Sequence, residues 1–157
     1  MSRDDAPPAA PVRSGDEQDT ERLGERLAAG LGAGDVVLLE GDLGAGKTVF
    51  IRGLARGLGH DPEQVVSPSF VLAIWHRGGR LPLLHVDLYR LPEGAALDEL
   101  GIDDALEAGA VVAVEWGDRV PGDLAAGAWR VRITAGASAG ERLVSITPPD
   151  RARHSSR

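Results

Sequence analysis

Residues 36–48 read VVLLEGDLGAGKT. Val36 to Leu39 form an unbroken apolar run, the pattern of a strand buried on both faces of a sheet. Gly41 to Thr48 then spell G-x-x-x-x-G-K-[ST], a phosphate-binding loop pattern. Its glycines let the backbone curl so that successive N–H groups point inward at phosphate oxygens. Lys47 is the only lysine among 17 basic residues. A compact ammonium reaches the β- and γ-phosphates inside such a loop, where the wide guanidinium fork of arginine does not fit. Thr48 supplies a hydroxyl suited to magnesium. Phe50, Ile51, Leu54 and Leu58 follow with helical spacing, and Gly59 is a stop signal. Strand, glycine loop and helix therefore come in the order that the motif requires.

The flanking segments extend the same alternation. Leu23, Leu27 and Leu31 mark one face of an earlier helix, ended by Gly30, Gly32 and Gly34. Phe70 to Trp75 and Leu81 to Leu88 read as strands joined by a turn at Arg77 to Arg80. Leu97, Leu100, Ala105 and Leu106 suggest one or two short helices. Val111 to Glu115 is a second fully buried strand. Trp129 to Thr134 and Leu143 to Thr147 alternate as an antiparallel hairpin does, with a loose turn from Gly136 to Gly140. The recurring Leu-Gly and Ala-Gly pairs read as compositional. The fold class expected is α/β: a single P-loop NTPase-type domain with a mainly parallel sheet, helices on both faces and a C-terminal antiparallel hairpin. The domain is expected over residues 14–149, with disordered tails at 1–13 and 150–157.

Composition narrows the function. The chain has 157 residues, a net charge of −7 and no cysteine. One core suits that length. The acidic balance argues against a basic nucleic-acid face acting alone, so any tRNA is expected to be held through a partner. Absence of cysteine excludes disulfides, thiolate metal sites and a cysteine nucleophile. No secretory signal or membrane-length apolar run is visible, and a cytoplasmic location is expected.

A P-loop enzyme places an acid near its metal at the end of a second buried strand. Two acids qualify, Asp87 after Leu83 to Val86 and Glu115 after Val111 to Val114, and pattern alone does not choose between them. His85 shares a strand face with Asp87 and either orients its carboxylate or sits half-buried with a local bond. Arg90, beside the sole tyrosine Tyr89, pairs with an acid or with phosphate. Ser67-Pro68-Ser69-Phe70 reads as a switch loop whose hydroxyl senses a γ-phosphate, or as a plain turn into a strand.

GDLGAGKT, SPSF at 67–70, HVDLYR at 85–90 and VEWGD at 114–118, in this order and spacing, resemble the TsaE (YjeE) family. That family is the P-loop ATPase component of bacterial tRNA threonylcarbamoyladenosine synthesis. The resemblance runs from about Ser14 to Thr147. It implies a weak, magnesium-dependent ATPase that works with TsaB-like and TsaD-like partners and does not itself transfer the threonylcarbamoyl group. By position it implies that Asp42, Leu43, Gly44, Ala45, Gly46, Lys47 and Thr48 hold the phosphates of ATP or ADP. Thr20 would lie near the adenine side. Thr48 and Glu115 would reach Mg2+. Asp87, with Lys47, would act catalytically by positioning metal or attacking water, with Trp116 close by. Two departures stand out. The usual S-P-T-F segment carries Ser69, which keeps the hydroxyl but not the methyl. The usual E-W-x-E segment ends in Asp118, one methylene short. A small-molecule kinase and an interaction module with a decayed nucleotide site are the alternatives. The late hairpin, where such kinases carry an arginine-bearing lid, argues against the kinase.

Overall fold

The computed structural model describes residues 10–42, 46–66, 73–88, 100–116, 120 and 122–149. Seven strands form one sheet, β1 (Val12–Ser14), β2 (Val36–Glu40), β3 (Ala73–His76), β4 (Leu83–Asp87), β5 (Val111–Glu115), β6 (Trp129–Ala135) and β7 (Arg142–Thr147), in the spatial order β1-β7-β6-β2-β5-β4-β3. The four central strands, β6-β2-β5-β4, run parallel. Antiparallel strands close both sides, β3 against β4 and the β6–β7 hairpin with β1 beyond it. The parallel heart is as expected, and the edges make the whole sheet mixed.

Alternation along the central strands sends side chains to two helical layers. Val37, Leu39, Leu83, Val111 and Ala113 pack beneath α1 (Glu17–Ala28) and α2 (Lys47–Gly57). Val36, Leu38, Leu84, Val86, Val112 and Val114 face the other way, against α3 (Ile102–Glu107) and α4 (Gly122–Ala126). Both faces of β2 and β5 are thus covered, which is why these strands read as continuous apolar runs. Among the described residues no helix is long and apolar enough to cross a membrane.

Helices α1 and α2 meet backbone to backbone. A methyl group on Gly53 would collide with the Glu21 carbonyl oxygen, and one on Gly24 with the Phe50 carbonyl oxygen. Gly57 faces the Ala28 methyl with no room for a second one. The pair is also tied by Arg56 to Glu21 at 2.8 Å. At the far end of both helices, Arg80 donates to the Ala28 carbonyl at 2.7 Å and the Leu31 carbonyl at 3.3 Å. Its backbone N–H reaches the Leu58 carbonyl at 2.7 Å. A cation here complements the carbonyl ends of the helices.

One boundary differs from expectation. Val12 and Arg13, assigned above to the tail, pair with Val144 and Leu143 as part of β1. Three residues with an exposed valine carry too little pattern to register as a strand. Leu97, the SPSF segment and residues 1–9 and 150–157 lie outside the described residues.

His76, on β3, is buried with Nε2 lacking a hydrogen-bond partner among the described residues, and its ring lies 6.0 Å from that of His60. Burial first, then the neighbouring His85 and His60, hold its pKa below the ordinary 6.5. The unfolded chain therefore binds the proton more readily. Stability should be intact above about pH 6.5 and fall as the pH drops toward the folded-state pKa. Thermal melts across that range should show the decline, and His76→Phe should flatten it.

Candidate functional site

β2, β5 and β4 are adjacent and parallel, so their carboxyl ends lie along one edge of the sheet. Ligands in α/β sheets sit at this edge. Leu39, Glu115 and Asp87 are in lateral register there, sharing the face beneath α2. Residues 41–46 connect β2 to α2, which returns the N-terminus of α2 to the same edge. That terminus has no side-chain cap: Gly46 stands at the cap position with φ 108°, a conformation that favours glycine. Its first amides are thus not spent on a capping side chain, as a phosphate cradle needs.

Lys47 is 4% exposed. Its ammonium donates to the Gly41 carbonyl at 2.6 Å and the Asp42 carbonyl at 2.9 Å, and lies 4.3 Å from the centroid of the Trp116 ring. A buried charge is tolerable only when compensated in this way. Trp116 follows Glu115 directly and adopts φ 66°, rare for a non-glycine residue and a strain of roughly 1–3 kcal/mol. The left-handed residue turns the chain at the end of β5 and brings the indole ring to the lysine.

Thr48, one residue further along α2, donates its hydroxyl to Glu115 Oε2 at 3.1 Å. The same oxygen lies 2.6 Å from His85 Nε2. His85 is therefore wholly buried and bonded to Glu115, on the neighbouring strand. Both expectations for it, orienting the Asp87 carboxylate or sitting half-buried with a local bond, are corrected: it is fully buried and its bond runs to a distant residue on the next strand. It does share the Asp87 face. A glutamate on the adjacent strand, two register positions along, is the group within reach of Nε2, and no sequence signal marks that lateral neighbour. Asp87 is 7% exposed and stands opposite Glu115.

Thr20 is buried on α1 with its hydroxyl 2.6 Å from Ser14 Oγ, and its methyl lies beside Gly46. The structure so brings together Thr20, Gly46, Lys47, Thr48, Asp87, Glu115 and Trp116. Asp42 enters through its backbone carbonyl, its side chain being exposed. Leu43, Gly44, Ala45, Ser67, Ser69, Tyr89, Arg90 and Asp118 lie outside the described residues.

The donor set fits a hard cation. Thr48, Glu115 and Asp87 offer oxygen ligands of the kind magnesium takes. No group of three or more His, Cys, Asp or Glu side chains able to hold a metal occurs among the described residues. Magnesium at such a site draws most of its ligands from phosphate and water, so a sparse protein contribution is what the chemistry requires.

A family model described as "Threonylcarbamoyl adenosine biosynthesis protein TsaE" matches residues 14–144. A "tRNA threonylcarbamoyladenosine biosynthesis protein TsaE" from Streptomyces coelicolor is 45% identical over 131 residues, covering 80% of this chain and 87% of that protein. One of the same name from Treponema pallidum is 44% identical over 108 residues, covering 68% and 78%. Among solved structures, that of Bacillus subtilus YdiB superposes with a TM-score of 0.72 at 30% identity, over 92% of this chain and 88% of that one.

Proposed function

This chain belongs to the TsaE family, and on that premise we propose that it binds ATP with magnesium and hydrolyses it slowly. In this reading the hydrolysis supports threonylcarbamoylation of the adenosine next to the tRNA anticodon without performing the transfer. The observation that carries the nucleotide reading is the contact between Thr48 and Glu115, 3.1 Å apart at the mouth of the loop. It sets the motif's hydroxyl beside a strand-end acid, the arrangement by which P-loop enzymes hold magnesium against phosphate. The loop from Asp42 to Thr48 would cradle the phosphates, with Thr20 beside it and the Lys47 ammonium on the β- and γ-phosphates. Thr48 and Glu115 would serve the metal. Bound magnesium would draw charge from the γ-phosphate and orient it. Asp87, opposite Glu115, would position the attacking water.

TsaB-like and TsaD-like proteins are the proposed partners, with tRNA met only through them, in the cytoplasm. The ordered domain is proposed to span residues 14–149 apart from the β1 residues that extend it. Co-purification with those two proteins, with and without a non-hydrolysable ATP analogue, tests the assembly. Failure of the analogue to change complex formation would reject nucleotide control of it.

Asp87→Ala separates binding from chemistry. Hydrolysis should fall by about a hundredfold or more, the scale of a lost general base or water-positioning group, while ADP affinity stays within a few-fold. Calorimetry and phosphate release read the two quantities. Loss of ADP affinity would make Asp87 a ground-state ligand instead.

A further inference from the structure

We propose that His85 is a positioning residue for Glu115, fixing which carboxylate oxygen faces the nucleotide and its metal. The proposal rests on the ATPase reading above and adds a residue to it.

His85 lies in the middle of β4 with no exposed surface, 2.6 Å from Glu115 Oε2 through Nε2. Thr48 donates to that same oxygen. An ionised carboxylate oxygen has two lone-pair directions, and two donors here occupy both. Rotation of the carboxyl group about its last bond would break both bonds together. Oε2 is therefore pinned, and Oε1 is the oxygen left to receive a further ligand. The bond to a carboxylate also requires hydrogen on Nε2, which selects the ring tautomer.

Packing does not account for the imidazole. Its surroundings on this face include Leu83, Val111 and Ala113, all fully buried. Nδ1 is buried with no hydrogen-bond partner among the described residues. An apolar residue of similar volume would fill the same space without an unsatisfied nitrogen, whose burial ordinarily costs stability. Among the described residues the ring's one hydrogen bond is to Glu115, and burial strengthens it by excluding water. Outer groups that orient metal-side carboxylates typically govern metal affinity over about 10–100-fold.

The test reads binding, not turnover. The full chain is melted with a non-hydrolysable ATP analogue at graded magnesium, and the magnesium concentration giving half of the nucleotide-induced Tm shift is recorded. For His85→Leu, the chain should still fold, the lost bond to the buried Glu115 carboxylate being offset in part by removal of the unsatisfied Nδ1, while the magnesium midpoint rises about tenfold or more. Gln carries its amide nitrogen about as far out as Nε2, and His85→Gln should bring the midpoint back to within about threefold. Asn is equally polar but too short, and His85→Asn should not. If His85→Leu fails to fold, the contrast between Gln and Asn decides alone. A parental midpoint in both the Leu and Asn variants would overturn the positioning role and leave the ATPase reading standing. A parent chain whose Tm no nucleotide raises at any magnesium concentration would overturn both.

Discussion

Lys47→Ala is expected to lower the affinity for ATP and ADP by about a hundredfold or more while the chain stays folded. A charge-assisted hydrogen bond is worth about 1.5–3 kcal/mol, and an ammonium between two phosphates makes at least two. The sum, about 3–6 kcal/mol, converts to roughly two to four decades in Kd. Folding should survive, because the substitution removes a buried charge together with its cost of desolvation. Lys47→Arg should be nearly as damaging, since the ammonium sits within 3 Å of two backbone carbonyls and beneath an indole ring, where a planar fork has no space. Calorimetric titration measures the affinity, and circular dichroism checks the fold. Retained affinity in the alanine variant would remove the phosphate role from Lys47.

Gly53→Ala is expected to destabilise the fold by about 1–3 kcal/mol or more. On an isolated helix the same change stabilises, by about 1 kcal/mol. Here the added methyl would occupy the position of the Glu21 carbonyl oxygen, which belongs to backbone and cannot swing aside. Overpacking of this kind costs about 1–3 kcal/mol or more, against a total stability of about 5–15 kcal/mol for a domain. Parting α1 from α2 would also open the apolar layer that includes Leu27, Phe50 and Leu54. The sign of the effect is what distinguishes the two mechanisms. Urea unfolding of the variant beside the parent measures it, and a variant more stable than the parent would mean that the helices do not touch there.

These glycines show where sequence reading stops. Gly53 and Gly57 are four apart on one helix and meet Glu21, Glu25 and Ala28 on the other, yet in a chain with 21 glycines they pass as composition. Close approach depends on where two segments cross, which is a property of the pair. The parallel strands were legible for the opposite reason. Val36 to Leu39 and Val111 to Val114 are buried on both faces, and burial on both faces leaves a continuous apolar run. α4 left no such trace, being five residues with no repeat to read. Within the site, the motif itself located Lys47 and Thr48. Alternation gave Asp87 and Glu115 as strand-end acids but not which of them Thr48 touches. That choice is made by lateral register between β4, β5 and the start of α2, and lateral register is absent from a linear pattern. The same limit hid the partner of His85.

The bond from Ser14 to Thr20 has a practical bearing. Anyone who trims the amino end, or fuses a reporter there, works two side chains away from Gly46. A cut that removes Ser14 takes away the hydroxyl held at 2.6 Å by Thr20, beside Gly46, and leaves Thr20 only the longer contact with the Asp16 carbonyl at 3.4 Å among the described residues. Labels intended to be silent belong elsewhere on the molecule.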